Sequence, residues 1–203
     1  MPRLSEVQRY FTGSWRLLNG RKDGLRLLDI SADGFWDSFF AIVVALPPLA
    51  LRWFLLASEL ARSPDIYGGT PSIILRIAIS DAVEWIVPLV ALAVLARQLG
   101  IADRFVAFVV ANNWSTALLL WLTLPLPLIA STDGLNAETI TLVVLAVFIL
   151  TTVMFWRLTN ATLDKGAGIA TAVTIGIVVL TILLELVLST LLGLYIAEVV
   201  PAA

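Results

Sequence analysis

The chain has 203 residues, of which 60% are hydrophobic and 14% are charged, with a formal net charge of −2. A mean hydropathy of +0.97 lies well above the range of soluble domains and predicts a polytopic membrane protein. The chain has no cysteine and no histidine, which excludes disulfide bonds, thiol catalysis and metal or haem sites that need imidazole.

The first 34 residues form a polar and basic head without the short apolar run of a cleaved signal peptide. We therefore expect this head, residues 1–34, to be retained. Its string LSEVQRYFTGSWRLLNG predicts an amphipathic helix that ends before Gly20. The predicted apolar face of this helix consists of Leu4, Val7, Phe11, Trp15 and Leu18.

Basic residues lie within and after this helix. The predicted contacts with lipid headgroups are Arg16, Arg21, Lys22 and Arg26. Each basic residue near anionic lipid contributes about 1 kcal/mol to membrane attachment. Two interpretations stay open: the helix lies in the headgroup layer, or it packs against the ends of the spanning helices while its arginines enforce orientation.

Five apolar runs follow, each with the roughly 20 residues that a helix needs to cross a hydrocarbon core. The predicted spans are residues 36–60, 72–96, 105–130, 139–158 and 169–195. All should be helical, because lipid offers unsatisfied backbone groups no partner. The predicted fold is therefore all-α, with a five-helix transmembrane domain over residues 35–203. Prolines interrupt three of the spans and predict kinks, at positions 47, 48, 88, 125 and 127.

The distribution of Lys and Arg predicts the topology, since these residues are retained on the cytoplasmic side. Ten of them fall in the head and in the loops near residues 97–104 and 157–165. The opposite loops and the C-terminal tail carry Arg62 together with the acidic residues Asp65, Asp133, Glu138 and Glu198. We predict a cytoplasmic N-terminus and an external C-terminus.

Ionisable residues inside a span cost roughly 2.5 to 3.5 kcal/mol each to insert, so they normally have a partner or a function. The predicted intramembrane polar cluster consists of Arg52, Arg76, Asp81, Glu84 and Glu185. Spans one and two form a hairpin centred near residue 66, which sets Arg52 level with Asp81 and predicts an ion pair. Arg76 is nearer the surface and can extend outward.

Glu84 lies about one turn deeper than Asp81, and Pro88 removes the amide that would bond the carbonyl of Glu84. Asn113 is predicted level with Pro88 and could supply the missing donor. The amides of Asn112 and Asn113 are thus predicted to be structural rather than ligands.

Span five presents two different faces. Gly168, Ala172 and Gly176 recur every four residues and predict close helix packing. Glu185 points nearly opposite Gly176, with Thr181 and Ser189 one turn to either side. Span five is therefore either central or in contact with another subunit.

Five spans, a cytoplasmic head, an external C-terminus and no catalytic signature together resemble the Yip domain family (Ypt-interacting proteins and their bacterial relatives). Eukaryotic-type members carry an Asp-Leu-Tyr-Gly-Pro motif in the head. The nearest string here, DIYGG at residues 65–69, lies in a predicted external loop and lacks the proline, so no functional residue is carried over. The resemblance implies a non-enzymatic protein of the bacterial inner (cell) membrane that acts through partners or on the bilayer.

The first functional prediction is a Yip-like scaffold or adaptor that binds lipid, including anionic lipid, or protein partners through its head. The alternatives are a small-solute or proton-coupled transporter or channel protomer, with Glu84 and Glu185 as candidates to change protonation, and an accessory subunit of a larger complex. A homo-oligomer or another membrane protein is an expected partner, and nucleic acid is not. No Gly-rich phosphate loop, zinc spacing or nucleophile with a matching base occurs, so no catalytic residue, metal or cofactor is predicted.

Overall fold

All regular structure is helical in the computed structural model, which describes residues 2–63, 66–130 and 136–194. In chain order the helices are α1 (Leu4–Leu18), a 3₁₀ helix (Lys22–Leu27), α2 (Ala32–Asp37), α3 (Phe40–Leu60), α4 (Thr70–Leu95), α5 (Phe105–Thr123), α6 (Pro125–Ala130), α7 (Ala137–Leu163) and α8 (Ala167–Leu191). Within those residues, five segments are long and apolar enough to cross a membrane. The predicted all-α fold with five spanning helices is confirmed, and the chain is a multi-pass membrane protein.

The spanning segments are Ala32–Leu60, Thr70–Leu95, Phe105–Ile129, Ala137–Leu163 and Ala167–Leu191. The fourth runs to Leu163, five residues beyond its predicted end at residue 158. It stops there because Asp164 has a left-handed backbone (φ 52°) and donates its N–H to the carbonyl of Asn160. A short polar side chain tolerates this conformation better than most.

Several predicted features fall outside the described residues. They are Asp65 at the start of the DIYGG string, Asp133 and Glu198 in the topology argument, and the predicted end of span five at residue 195.

The spanning helices form a closed ring in which each packs mainly against two others. The order around the ring is α3, α4, α8, α7 and α5, which returns to α3. Helices α4 and α5 follow each other in sequence but are not neighbours in the ring, because α5 lies between α3 and α7. A ring of five leaves space along its axis, where side chains from every helix can meet.

The two ends of this ring are packed differently. We call the end that carries α1 the head side and the opposite end the far side. On the head side, one apolar core takes a buried side chain from every spanning helix: Ala45, Leu92, Phe108, Leu158 and Val173. Among the described residues of the far side, the buried core comes only from α3, α4 and their connection: Ala57, Leu60, Ile66, Ile73 and Ile77.

Helix α1 packs on α5 and α7, in agreement with the interpretation in which the head helix contacts the ends of the spans. The rings of Tyr10 and Phe11 lie with their centroids 4.8 Å and 6.2 Å from that of the buried Trp114 on α5. The buried face of α1 only partly matches the predicted apolar face, of which Leu18 is buried and Val7 and Phe11 pack partly buried against the core. Leu4 and Trp15 are exposed, whereas the buried residues are Tyr10, Gly13, Ser14, Leu17 and Leu18.

The rotation of α1 follows from its close crossing with the 3₁₀ helix. A Cβ atom at Gly24 would lie 2.4 Å from the carbonyl oxygen of Gly13, and one at Gly13 would lie 2.9 Å from that of Gly24. Only residues without a side chain allow the two backbones to approach this closely. Apolar spacing alone defined the predicted face, so it missed a contact made by two glycines.

The prolines differ in their effects on the spans. Helix α3 continues through its two prolines and α4 through Pro88, whereas the third span breaks at Leu124. Pro48 lacks the N–H that would bond the carbonyl of Val44, and the indole N–H of Trp121 donates to that carbonyl at 3.0 Å. Helix α5 thus satisfies a backbone acceptor that lipid would leave unpaired.

The small residues of α8 do not make the predicted intrachain packing contact. Gly168, Ala172 and Gly176 are all exposed, and a Cβ atom at either glycine would meet no atom within 4 Å among the described residues. Within the ring, α8 instead buries Ala170, Val173 and Thr174. The small-residue face therefore points away from the described chain.

Candidate functional site

Asp81 is held by two donors from α3. The guanidinium of Arg52 pairs with the Asp81 carboxylate, and the indole N–H of Trp53 donates to the same carboxylate oxygen at 2.6 Å. This confirms the ion pair between Arg52 and Asp81 that the hairpin geometry predicts. Charge-assisted bonds from adjacent positions on one helix fix Asp81 as a counter-ion.

A cavity of about 370 Å³ lies inside the ring, and the Arg52–Asp81 pair forms part of its wall. Side chains from all five spanning helices line it. Besides the ion pair, its polar lining consists of Glu84, Asn112, Thr116, Thr151, Thr152 and Thr181. Ligand pockets have volumes of about 300 to 1,000 Å³, so this space suits a small molecule.

Glu84 is the acidic group of the cavity wall that no cation neutralises within the described chain. Its Oε1 accepts a hydrogen bond from the hydroxyl of Ser80 at 3.1 Å. The carboxyl group of Glu185 on α8 also comes within hydrogen-bonding reach of Glu84. The two acids therefore form a pair that attracts a cation between α4 and α8.

Glu185 lies on the cavity side of α8, toward the far side. It follows Thr181 by four residues, which places it one turn further along the face that Thr181 presents to the cavity. Its side chain is exposed. The ring thus brings together Arg52, Asp81, Glu84 and Glu185 of the predicted polar cluster.

Arg76, the fifth member of that cluster, lies toward the far-side ends of α4 and α8 and has a different role. Its guanidinium donates to the carbonyls of Leu192 (2.8 Å) and Gly193 (3.3 Å) beyond the end of α8, and to the carbonyl of Tyr67. A cation at a helix C-terminus satisfies the last carbonyls and complements the helix dipole. Arg76 therefore fastens the end of α8 to α4.

Asn113 makes contacts other than the predicted one. Its amide nitrogen donates to the hydroxyl of Ser38 at 2.9 Å, and its amide oxygen accepts from the indole N–H of Trp85 at 3.0 Å. Within the described residues it therefore joins α4 to the start of the first span, and does not replace the donor that Pro88 removes. This bond also holds the Trp85 ring in the cavity wall.

Sequence reasoning missed the contribution of α5 and α7 to the cavity. Thr116 on α5 and the adjacent Thr151 and Thr152 on α7 line it. Threonines in apolar helices commonly bond their own backbone, as Thr151 does with the carbonyl of Val147 at 2.8 Å, so their presence marks no site by itself. Two consecutive threonines inside an otherwise apolar run were the available signal.

The basic residues predicted to contact lipid headgroups differ in their surroundings. Arg16 and Arg21 each form an ion pair with Asp23 at 3.1 Å. Hydrogen bonds from Arg21 hold the pKa of the Asp23 carboxyl below its usual value. Arg26 is exposed and has no ion pair within the described residues.

Two further ion pairs lie on the head side. Lys22 of the head pairs with Asp164 at the end of α7, and Lys165 pairs with Asp103 before α5 at 3.0 Å, which joins two loops of the ring. Hydrogen bonds from these lysines hold the pKa values of both carboxyls below their usual range. The head is thus attached to the ring by the Lys22–Asp164 pair as well as by the apolar packing of α1.

No group of three or more Asp, Glu, His or Cys side chains placed to hold a metal ion occurs in residues 2–63, 66–130 and 136–194. Comparison of the chain with protein-family models, curated proteins and solved structures found no match. The resemblance to the Yip family therefore stays a prediction.

Proposed function

We propose that the chain is a small-solute transport protein that binds its solute in the cavity of the five-helix ring. The observation that supports this function best is the lining of the cavity. Charged, amide and hydroxyl groups from all five spans meet in a region where each charge is costly to place. Such groups are usually retained in membrane proteins because they contact a solute, an ion or water.

In a purely structural polar network, each charged or hydrogen-bonding group has a partner within the network. The Arg52–Asp81 pair fits that description, since each charge has a partner. Glu84 does not, because its neighbours are another acid and a hydroxyl, and it faces an open space large enough for a ligand. The cavity therefore combines a structural ion pair with a group that remains available to a solute.

Transport also requires access from both sides of the membrane. On the head side, the shared apolar core and the docked α1 close the cavity. The far halves of α7 and α8 carry mostly exposed side chains. We infer that the solute enters from the far side and that release on the head side needs a movement of α1 and the helix ends beneath it.

Cysteine labelling tests this function without knowledge of the solute, because the chain has no native cysteine. Thr152→Cys places a thiol in the cavity wall, and Val153→Cys places one at the next, exposed position of the same helix. In sealed vesicles, a membrane-impermeant thiol reagent should modify Thr152→Cys when added on either side. Val153→Cys should react slowly, because a thiolate does not form readily in lipid.

The labelling outcomes separate transport from the other functions. Modification of Thr152→Cys from one side only would indicate a binding pocket and contradict transport. Equal reactivity of the two variants, or no reaction of either, would show that the cavity is not a route for polar molecules.

The scaffold or adaptor function, which is the first prediction from the sequence, is the second candidate here, and the surface of the head favours it. Leu4 and Trp15 are exposed on α1, and the exposed Arg26 follows them in the head. Exposed apolar side chains on α1 and an exposed basic side chain on the adjacent 3₁₀ helix suit the headgroup layer of a membrane. Anionic lipid should therefore raise the melting temperature of the protein in nanodiscs, and Arg26→Gln should reduce this gain more than Arg21→Gln, whose arginine already pairs with Asp23. Equal effects of the two substitutions would argue against lipid binding through Arg26.

A further inference from the structure

The charges of the cavity wall do not cancel. Asp81 is neutralised by Arg52 and receives a further bond from Trp53. The polar groups that act on Glu84 are Glu185, Ser80 and Asp81, and none of them is a cation. The cavity therefore presents surplus negative charge on the side formed by α4 and α8, and an anionic solute would meet repulsion there.

The wall of the cavity also includes three aromatic side chains. Trp85 comes from α4, the helix that carries Glu84, while Phe148 and Phe155 come from α7. The faces of aromatic rings attract cations, most strongly where water is excluded. The remaining wall is formed largely by aliphatic side chains such as Leu49, Leu119 and Ile177.

We propose that the cavity selects an organic monocation with an apolar body, with the Glu84 carboxylate as its counter-ion and Trp85, Phe148 and Phe155 as its aromatic contacts. This inference rests on the proposed transport function and adds the class of solute. Glu185 lies beside Glu84 toward the far side, so it attracts the cation as it enters. An inorganic cation would leave the aromatic and aliphatic wall without a contact.

Binding of a charged probe to the full chain in nanodiscs tests the selectivity. Benzyltrimethylammonium supplies a cationic head on an aromatic body, and benzenesulfonate supplies an anion of similar size. Calorimetric titration should give saturable binding of the cation and no binding of the anion. Glu84→Gln should weaken cation binding at least about tenfold, the effect of losing one charge contact in a partly dry site.

Two further variants serve as controls for Glu84→Gln. Glu59→Gln makes the same change on an exposed glutamate of α3 outside the cavity lining, and it should bind the cation like the native chain. Glu84→Asp keeps the charge on a shorter side chain, so it should bind more tightly than Glu84→Gln. If Glu84→Gln fails to fold, the comparison of Glu84→Asp with Glu59→Gln still tests whether the position of this carboxylate matters.

Several results would overturn the inference. If benzenesulfonate binds and Arg52→Gln abolishes that binding, the cavity is an anion site. Equal cation affinity in the Glu84 and Glu59 variants would place the cation elsewhere. Absence of cation binding, together with labelling of Thr152→Cys from both sides, would refute the solute class and leave the transport function standing. Absence of both binding and labelling would refute the transport function as well.

Discussion

The head-side and far-side halves of the ring are built from the same five helices but differ in what fills the space between them. On the head side, large buried side chains such as Phe108, Trp114 and Leu158 form a continuous core under α1. On the far side, Leu142, Leu145 and Phe148 of α7 are among the exposed apolar residues. Dense packing supplies most of the stability of a bundle, whereas loosely packed helices leave room for a cavity and for motion.

This difference assigns separate tasks to the two halves. The head-side half holds all five helices in one core, and under the proposed function the far-side half admits the solute. The Arg52–Asp81 pair lies between them in the cavity wall, where it secures α3 to α4 without filling the cavity.

The largest effect expected from this comparison is on stability. Trp114 is 1% exposed, so Trp114→Ala should lower the free energy of unfolding by about 3 to 5 kcal/mol through lost contacts and a new void. Phe148 is 47% exposed, and Phe148→Ala should cost less than about 1 kcal/mol. Unfolding in a denaturing detergent, followed by circular dichroism, measures both. Similar losses would contradict the division into a packed half and an open half.

A double-mutant cycle tests the ion pair that connects α3 to α4. Arg52→Leu leaves Asp81 without its cation and should destabilise by about 3 kcal/mol, the lower end for buried pairs because Arg52 is partly exposed. Adding Asp81→Leu should restore much of this loss, less the hydrogen bond from Trp53. Strict additivity of the two substitutions in the same unfolding assay would show that the pair contributes no coupling energy.

A pair of glycine substitutions compares the crowded head with the free face of α8. Gly24→Ala places a Cβ atom 2.4 Å from the backbone oxygen of Gly13, so it should destabilise by about 1 to 3 kcal/mol and loosen the head. Gly168→Ala meets no atom within 4 Å and should be neutral or slightly stabilising, since alanine favours helix. Protease sensitivity of the head and the melting temperature report the two effects. A destabilising Gly168→Ala would indicate that another chain covers this face.

The smallest expected effect is a dependence of stability on pH through the ion pair between Lys22 and Asp164. The pKa of Asp164 is below its ordinary value of 3.8 because of its hydrogen bond with Lys22, so the pair stabilises the folded protein above that pH and loses its contribution as the pH falls through the lowered value. The difference in melting temperature between the native chain and Asp164→Asn should thus be present near neutral pH, shrink with added salt and vanish in acid. A difference that does not change with pH would exclude this ion pair as its cause.

The sequence predicts the elements of this fold better than their contacts. Long apolar runs determine the five spans, and hairpin geometry is enough to pair Arg52 with Asp81, because both depend on one or two neighbouring helices. The closed ring is not predictable in this way, since the contact of α5 with α3 and α7 joins helices distant in the chain. The cavity depends on that closure, so the sequence alone does not show that Thr116, Thr151 and Thr152 line one site.

The prediction for Asn113 is wrong and that for the face of α1 is only partly right for a related reason, since both depend on contacts between several helices. The hairpin geometry of spans two and three predicts Asn113 level with Pro88, but the Asn113 side chain forms hydrogen bonds with Ser38 and Trp85 instead. In α1, the spacing of apolar residues predicts an apolar face, but the close contact between Gly13 and Gly24 decides which residues are buried. The partners of a side chain that contacts several helices depend on how those helices pack. The spacing of residues along one helix does not predict that packing.

A reversible lock on the head tests most directly the claim that the head-side closure must open. A Cβ atom at Gly20 would lie 3.9 Å from the Cβ of Arg157 on α7, within the range of a disulfide, although the left-handed backbone of Gly20 (φ 78°) makes any side chain there somewhat strained. Gly20→Cys with Arg157→Cys, in a chain that also carries Thr152→Cys, should therefore join the head to α7 on oxidation. The lock should abolish labelling of Thr152→Cys from the head side and spare labelling from the far side, and reductant should reverse the effect in the same protein. Unchanged labelling from the head side in the oxidised protein would contradict that claim.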